Sequence, residues 1–361
     1  SYCSEGHSAV LLTRSFDRGG SFQTPVIVDR NNADDKPTMR LRSVPGRPAH
    51  VFVAWTRWYS HGSAIWFARS TNGGASFSTA RLLFTTQANA FGAVPVVLPN
   101  RRIVVLWASS TNVSTSSEPR TRIMDAVSTD EGAHFDPARA ATSWFSALPQ
   151  LTQPGSLRVI LSPAATADER GNLYLAWSVA HPESANGSAR ADILVERSTD
   201  GGRHWGRPVR VNDVRSGDRF MPALTVLSDG SLGVAFYDRR DGWNQLGVYA
   251  ADVTFSPRAR VGPNVRINAA STPIGLMLYI RPGSTCFAPG RFFGDYIGAA
   301  PGPGRSIDVT WADTALHGVR RTDVWYANQP LPDPAGSRTV LRVGSSARIV
   351  RVAAGTASKR R

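Results

Sequence analysis

The stretch STDGGRHW at residues 198–205 decides the fold of this chain, because it occurs four times with small changes. The other copies are SFDRGGSF at 15–22, STNGGASF at 70–77 and STDEGAHF at 128–135. All fit the pattern Ser-x-Asp-x-Gly-x-x-Phe/Trp, with Asn72 in the Asp place of the second copy. Copies that begin at 15, 70, 128 and 198 form an internal repeat with a period of roughly 55 to 70 residues.

The residue types of this motif predict a hairpin turn. A carboxylate two residues after a Ser can accept hydrogen bonds from the backbone N–H groups of its own turn. The Gly that follows allows the positive φ that a sharp chain reversal needs. The aromatic residue at the end of the motif begins the return strand, where it can be buried between neighbouring sheets.

A second repeat alternates with the first. Five short apolar strands each end in an aromatic residue, namely VFVAW at 51–55, IVVLW at 103–107, LYLAW at 173–177, LGVAF at 232–236 and IDVTW at 307–311. The repeating unit is therefore a strand, an aromatic-ended strand, a third strand, the turn motif and a fourth strand. Such a four-stranded unit, repeated radially, is a β-propeller blade, which buries both faces of each sheet and leaves few exposed edges.

In these motifs and spacings, over about residues 8–330, the chain resembles the Asp-box (BNR-repeat) β-propellers of the sialidase/neuraminidase superfamily. The resemblance implies an all-β, six-bladed β-propeller with four-stranded antiparallel blades. Asp boxes also occur in other glycosidases and in non-catalytic propellers, so they indicate the fold more strongly than an activity.

The repeats predict one propeller domain over residues 1–355. The predicted units are a partial blade at 8–29 and full blades at 35–87, 88–147, 155–213, 217–270 and 291–345. Two sources are open for the missing strands of the partial blade: the segment 339–353, as a closing clasp, or sequence upstream of this chain. We expect residues 356–361 to be a disordered basic tail.

The formal net charge of +14 is carried almost wholly by Arg, since Lys occurs only at 36 and 359. A GC-rich genome would explain the arginines, and so would an acidic partner such as a carboxylated sugar. No dense basic run precedes the terminal SKRR, so the sequence predicts no nucleic-acid partner. No apolar run approaches the roughly 18 residues of a membrane span.

With this resemblance we expect a bacterial protein that is secreted or on the cell surface and is a monomer. The chain begins at Ser1 without a signal peptide, as a processed or truncated chain would. Cys3 and Cys286 are the only cysteines, and both a bridge between them and two free thiols stay open. No HxH, HExxH or Cys cluster is present, so the sequence predicts no metal and no cofactor.

Candidate functional residues follow from the blade geometry. First strands begin and second strands end on one face of a propeller, whereas the turn motifs lie on the other face. The polar and aromatic residues at those positions are Asp35, Lys36, Arg40, Arg57, Trp58, Tyr59, His61, His181, Glu183, Asp218, Arg219, Tyr237, Asp238, Arg239, Arg240, Asp241, Arg291, Asp295, Tyr296 and Asp313. We predict the substrate-binding residues to be Arg57, Arg219, Arg239, Arg240, Asp238, Asp295 and Asp313, because Arg binds a carboxylate ligand bidentately. The same Asp and Arg residues would serve equally well in ion pairs between blades.

The resemblance also implies a reaction, glycoside hydrolysis with a Tyr nucleophile. Tyr296 is then the candidate nucleophile, Glu183 or Glu196 its activating base, and Asp35 the general acid and base. The chain departs from the family pattern because it lacks the early Arg-Ile-Pro that supplies a carboxylate-binding Arg. Two functions are therefore predicted side by side: a sialidase-like exo-glycosidase acting on acidic sugars of glycoconjugates, and a non-catalytic propeller that binds glycan or protein.

Overall fold

A computed structural model of the protein describes residues 9–31, 33–111, 120–148, 151–152, 157–181, 190–255, 258–274, 293–313, 323–332 and 348–349. These residues contain strands, turns and connections but no helix, which confirms the all-β prediction for this part of the chain. None of them therefore forms a helix that could cross a membrane. Several predictions concern residues outside these ranges: Cys3, Cys286, Glu183, Arg291 and the tail 356–361.

The strands form consecutive antiparallel sheets in chain order. A two-stranded pair comes first, with β1 (Ala9–Leu12) and β2 (Val26–Arg30). Sheet 1 contains β3 (Asp34–Val44), β4 (Arg47–Trp58), β5 (Ser63–Ser70) and β6 (Arg81–Thr86). Sheet 2 contains β7 (Asn89–Val97), β8 (Ile103–Ser110), β9 (Arg120–Ser128) and β10 (Arg139–Ala140), with β11 (Phe145–Ser146) also paired to β9.

A small pair, β12 (Leu151–Thr152) with β13 (Leu157–Arg158), precedes sheet 3. Sheet 3 contains β14 (Ala164–Ala167), β15 (Leu173–His181), β16 (Arg190–Ser198) and β17 (Val209–Arg210). Sheet 4 contains β18 (Arg219–Val226), β19 (Leu232–Asp238) and β20 (Gln245–Thr254), to which β21 (Arg260–Val261), β22 (Val265–Arg266) and β23 (Thr272–Pro273) pair. Sheet 5 contains β24 (Gly298–Pro301), β25 (Ser306–Asp313), β26 (Asp323–Pro330) and β27 (Arg348–Ile349).

The hydrophobic core lies between neighbouring sheets. The aromatic-ended runs found in the sequence are the second strands of sheets 1 to 5, and their terminal aromatics are at most 2% exposed. One apolar cluster joins sheet 1 to sheet 2, a second joins sheets 2 and 3, a third joins sheets 3 and 4, and a fourth joins sheets 4 and 5. The sheets are therefore stacked face to face in the order of the chain.

The first strands of the sheets share one region. Contacts link β3 to β7, β7 to β14, β14 to β18 and β18 to β24. Within each of the five sheets, the first strand pairs with the second strand on one edge only, so its other edge faces the space that the five first strands share. We call this space the central channel. The arrangement is the one that blades of a propeller require, although the number of six blades stays a prediction.

The β1–β2 pair is packed on one side only. Val10 and Val28 are buried against sheet 1. On its other side Leu11 is 55% exposed. The aromatic of the first turn motif, Phe22, is likewise 63% exposed. Within the described residues, this pair is thus a unit with two strands and one packed face.

The four turn motifs form the same hydrogen-bonded turn, as predicted. In the fourth copy Ser198 Oγ donates to Asp200 Oδ1 (2.9 Å) and accepts from Gly202 N–H (2.9 Å), while Asp200 Oδ1 accepts from His204 N–H (2.9 Å). Burial opposes ionisation of Asp200, but the hydrogen bonds from His204 and Ser198 outweigh it and lower its pKa to about 2. In the third copy Gly132 has a φ of +80°, and a Cβ at this position would lie 2.7 Å from the Phe67 ring.

The turn motifs lie at the end of the sheets opposite to the starts of the first strands. Ser70, which begins the second motif, is paired with Val51 near the start of β4, whereas Asp34 at the start of β3 is paired with Arg57 near the end of β4. The starts of the first strands therefore define a separate face, which we call the mouth of the channel.

We expect Asp200→Ala to lower the free energy of unfolding by about 1 to 3 kcal/mol, because backbone and side-chain donors of the turn lose their acceptor. His204→Ala is the matched control, since it keeps the carboxylate and removes only the ring contact, and its effect should be smaller. Urea unfolding of both variants measures the difference. An Asp200→Ala protein of unchanged stability that had lost ligand binding would contradict a structural role for the motif.

Candidate active site at the mouth of the channel

Four residues from three distant segments of the chain meet at the mouth. Lys36 Nζ lies 2.5 Å from Asp295 Oδ2, and an Arg158 Nη lies 3.5 Å from the same oxygen. The Lys36 ammonium also lies 5.0 Å from the centroid of the Tyr296 ring, within the range of a cation–π contact. We call Lys36, Arg158, Asp295 and Tyr296 the mouth cluster. It joins the start of β3 to β13 and to the segment before β24.

A β-bulge places Lys36 in this cluster. The pairing of β3 with β4 shifts register between Asp35 and Thr38, and Lys36 has a φ of +53°, which a non-glycine residue rarely adopts. The Lys36 N–H donates to Asp35 Oδ1 at 2.9 Å, which fixes the bulge locally. Bulges of this kind re-aim a side chain and are frequent beside functional sites.

Tyr296 and Asp295 present different groups to a ligand. Tyr296 is 61% exposed, so its ring and hydroxyl are accessible. Asp295 is mostly buried and its Oδ2 is in ion pairs, but its Oδ1 has no hydrogen-bond partner among the described residues. A buried carboxylate oxygen without a donor is costly, and a ligand hydroxyl could satisfy it.

Tyr237 holds the backbone beneath this cluster. Its hydroxyl accepts from Ala312 N–H (3.0 Å) and is within reach of the carbonyls of Ala312 (3.3 Å) and Tyr296 (3.5 Å). Burial raises the pKa of Tyr237 well above its usual range, so this phenol stays protonated as a hydrogen-bond donor. The Tyr237 ring meets Phe293 edge-on at 4.7 Å, which anchors the segment that leads to Asp295.

Arg219 and Arg239 are in buried ion pairs within sheet 4. Arg219 Nε donates to Asp238 Oδ2 at 3.0 Å, both side chains are 0% exposed, and its other nitrogens donate to the carbonyls of Gly217 and Ser216. Arg239 Nε donates to Asp218 Oδ1 at 2.6 Å, and a second bond joins the same two residues. Each of these partners is a side chain or a backbone carbonyl of the fold.

Arg240 and Arg57 are also paired with carboxylates. Arg240 Nε donates to Asp238 Oδ2 at 2.8 Å, and its guanidinium stacks 3.9 Å from the Tyr249 ring centroid. Arg57 Nε donates to Asp34 Oδ1 at 2.7 Å, and its Nη2 contacts Asp29. A substrate-binding role for these four arginines stays a prediction. Of the ion pairs between blades that the sequence left open, Arg57 with Asp29 joins sheet 1 to the β1–β2 pair, whereas Arg219 with Asp238 and Arg239 with Asp218 lie within sheet 4.

The other predicted residues are placed as follows. Asp313 is 2% exposed and accepts from Trp311 Nε1 at 3.1 Å. Asp35 lies beside the mouth cluster and accepts from Trp58 Nε1 at 3.4 Å. Arg158 was not predicted, although it lies just before the first strand of sheet 3 and the rule of first-strand starts, applied there, would have found it.

Two further ionisable groups lie in sheet 3. His181, at the mouth end of β15, has its Nε2 2.8 Å from Asp192 Oδ2, and Asn212 Nδ2 donates to the other oxygen of Asp192 at 2.7 Å. Glu196 lies near the opposite, turn-motif end of β16, two residues before Ser198. The described residues contain no cluster of three or more His, Cys, Asp or Glu side chains that could hold a metal ion.

Glu196 is 6% exposed, and burial raises its pKa from 4.5 to about 7. Between those two pH values the folded protein keeps a proton that the unfolded chain has released, so stability falls as the pH rises through that window. Glu196→Gln cannot ionise and should remove this dependence, which makes the variant more stable than the parent at pH 7 and above. Urea unfolding between pH 4.5 and 7 measures this difference in the free energy of unfolding. Glu169→Gln, on an exposed turn, is the control. Equal pH profiles for the parent and Glu196→Gln would contradict a raised pKa for Glu196.

We expect Arg239→Met to lower the free energy of unfolding by about 3 to 5 kcal/mol, because it leaves the Asp218 carboxylate buried without its cation. Arg101→Ala is the control, since Arg101 is 71% exposed and lies 3.7 Å from Glu131. Such a surface pair contributes about 0 to 1 kcal/mol. Equal stability of the two variants in chemical denaturation would show that the buried pair contributes nothing to the fold.

No protein-family model matches the chain, and no curated protein matches it in sequence. Among solved structures it is similar to the Penicillium chrysogenum alpha-L-arabinanase complexed with arabinobiose, with a TM-score of 0.47 and 13% identity over 82% of this chain and 93% of that one. An ulvan lyase of a polysaccharide lyase family, bound to -[GlcA(1-4)Rha3S]-, gives a TM-score of 0.47 and 11% identity over 88% and 74%.

The NanB sialidase from Streptococcus pneumoniae gives a TM-score of 0.39 and 15% identity over 63% of this chain. This chain spans only 32% of that sialidase. The three proteins are carbohydrate-active by their names, but likenesses with these scores do not identify an activity for this chain.

Proposed function

We propose that this protein acts on acidic carbohydrate at the mouth of the central channel. The observation that carries the proposal is the mouth cluster, in which an exposed Tyr296 ring adjoins the Lys36 ammonium, with Arg158 close by on Asp295. The proposal includes an extracellular location, where glycoconjugates occur, and a protein that is a secreted or cell-surface monomer.

Each group in the cluster matches a feature of an acidic sugar. The face of the Tyr296 ring can stack on the apolar face of a pyranose, and its hydroxyl can hydrogen-bond at the ring edge. Lys36 and Arg158 can form charge-assisted hydrogen bonds with a ligand carboxylate. Asp295 Oδ1, which lacks a donor among the described residues, can accept from a sugar hydroxyl.

Hydrolysis by a sialidase-like exo-glycosidase is the reaction that we propose for this site. Its supporting observation is the accessible Tyr296 hydroxyl, with Asp35 on the neighbouring bulge as a candidate general acid and base. A Tyr nucleophile suits a substrate whose anomeric carbon already bears a carboxylate, since a neutral phenol is not repelled by it. The candidate base Glu183 lies outside the described residues, and Glu196 lies toward the other end of its strand.

A non-catalytic glycan-binding module is the second candidate. The arginines at the mouth favour it, because Arg57, Arg219 and Arg239 each form an ion pair with an Asp side chain of the fold. A site with these guanidinium groups occupied retains cations and an aromatic ring for binding. It has fewer groups that could stabilise a charged transition state.

A fluorogenic sialoside and a panel of uronic-acid and neutral glycosides separate the two candidates. We expect hydrolysis of an acidic glycoside, loss of turnover with retained binding in Tyr296→Phe, and affinity lowered by about tenfold or more in Lys36→Gln, since a hydrogen bond to a charged group contributes about 1.5 to 3 kcal/mol. Tyr326→Phe is the control, since Tyr326 lies within sheet 5 and its hydroxyl donates to Asp308. Binding without hydrolysis would favour the module. Neither binding nor hydrolysis of any acidic glycan would refute the proposed function.

A further inference from the structure

Exposed tryptophan and tyrosine side chains lie at one end of the sheets within the described residues. They are Tyr59, Trp144, Trp243 and Tyr296, whose exposed fractions are 47%, 37%, 45% and 61%. All of them lie at the mouth, and the turn-motif end exposes only phenylalanines of the first motif as large aromatics in this part of the chain. Surface aromatics without a common role would be divided between both ends. Trp and Tyr are enriched where a surface binds a partner, because each combines a large apolar ring with a hydrogen-bonding tip.

Trp243 lies in the turn between β19 and β20. Asp238, the last residue of β19, is paired with Arg219 at the start of β18, which places this turn at the mouth. Arg239 Nη1 donates to the carbonyl of Trp243 at 3.0 Å, and Gly242 N–H donates to the carbonyl of Arg239 at 3.2 Å. The buried Arg239 therefore holds the turn that presents the exposed indole.

Tyr59 follows directly after β4, whose end lies at the mouth. Its N–H donates to the carbonyl of Gly62 at 3.0 Å, and its hydroxyl accepts from Trp66 Nε1 at 3.3 Å. The Arg57 guanidinium lies 4.2 Å from the centroid of the Trp66 ring, within the range of a cation–π contact. Tyr59 is thus held on its turn by both its backbone and its hydroxyl.

Trp144 lies at the mouth end of the outer edge of sheet 2. The next residue, Phe145, pairs with Thr121, and Thr121 pairs with Ser110 at the end of β8. The Arg122 guanidinium lies 4.4 Å from the centroid of the Trp144 ring, so this ring too is supported by a cation.

Two of the exposed aromatics therefore have a cation beside the ring. Lys36 lies beside Tyr296, and Arg122 lies beside Trp144. A sugar ring can stack on the aromatic side chain, while a carboxylate on the same or the next sugar is attracted by the cation. The net charge of +14 acts in the same direction. These pairs favour an acidic glycan at more than one place on the mouth.

The residues that flank these aromatics favour a glycan over a protein partner. They are polar and include Ser60, His61, Thr142, Ser143 and Asn244. The core of a protein–protein interface is apolar and depleted of charged residues. A glycan instead presents apolar ring faces that alternate with hydroxyl groups. Separate aromatics in polar surroundings match that alternation.

The aromatics are also too widely distributed for a ligand of one sugar. They lie at the ends of sheets 1, 2, 4 and 5. Sheets that pack face to face are about 10 Å apart, which exceeds the width of one sugar ring. Only a ligand of several sugar units can contact more than one of these side chains.

We propose that the mouth binds an extended acidic glycan of several sugar units, linear or branched. Tyr59, Trp144 and Trp243 bind sugar rings beyond the one at Tyr296. This inference rests on the function proposed above and specifies its substrate class, a carboxylated oligosaccharide or polysaccharide instead of a single acidic sugar.

Titration calorimetry with the full chain tests the length and charge of the ligand. The probes are polygalacturonate and polysialic acid, their single sugars galacturonic acid and N-acetylneuraminic acid, and dextran as the neutral chain. We expect an acidic polymer to bind about tenfold or more tightly per sugar unit than its single sugar, because one chain contacts several aromatics. Trp144→Ala and Trp243→Ala should each weaken polymer binding about two- to tenfold.

Phe16→Ala is the matched control, since Phe16 is 79% exposed in the first turn motif and its loss should leave polymer binding unchanged. Trp144→Tyr and Trp243→Tyr keep an aromatic ring and should restore most of the affinity that the Ala variants lose. Equal polymer binding by the parent and both Ala variants, or equally tight binding of dextran, would overturn the inference.

The single sugars distinguish failure of this inference from failure of the proposed function. Binding of a single acidic sugar that is as tight, per sugar unit, as binding of its polymer would overturn the extended site and leave the proposed function standing. Absence of binding by every acidic glycan would overturn both and assign the exposed aromatics to a protein partner.

Discussion

Packing of each sheet against the next is the interaction on which the rest of this structure depends. The apolar clusters lie between sheets, so a single sheet has no core of its own and both of its faces need a neighbour. This explains why strands such as β8, β15 and β19 are apolar on both faces rather than alternating. It also explains the exposed Leu11, on the side of the β1–β2 pair that does not pack on sheet 1.

The same packing determines which charged residues of the mouth are buried and therefore need an ion-pair partner. Arg219 and Arg239, at the mouth end of sheet 4, are buried, and a buried Arg needs an anion within reach. Arg219 with Asp238 and Arg239 with Asp218 meet that need inside sheet 4. The large positive charge of the chain is therefore only partly available to a ligand. Lys36 and Arg158 at the mouth are more exposed to solvent than Arg219.

The mouth cluster is built from residues that the fold brings together across long stretches of chain. Lys36 and Asp295 are 259 residues apart and meet because β3 and the segment before β24 both approach the channel. The bulge at Lys36 and the buried Tyr237 beneath Tyr296 hold the two sides of the cluster in place. Rigid support of this kind is what a binding or catalytic site needs.

The amino-acid sequence by itself determined the elements that depend on local chemistry. The turn motifs were predicted from residues 15–22, 70–77, 128–135 and 198–205 because a Ser, an Asp or Asn and a Gly satisfy and bend their own backbone within eight residues. The aromatic-ended strands were predicted because an apolar run shows its burial directly.

The tertiary structure alone decided which charged side chains are paired within the fold. Whether Arg239 is open to a ligand depends on Asp218, twenty-one residues earlier. Whether Lys36 reaches Tyr296 depends on the approach of the start of β3 to the segment before β24. Long-range pairing of charges leaves no periodic trace in a sequence, since one Arg or Asp can serve several partners and only the packed fold selects among them.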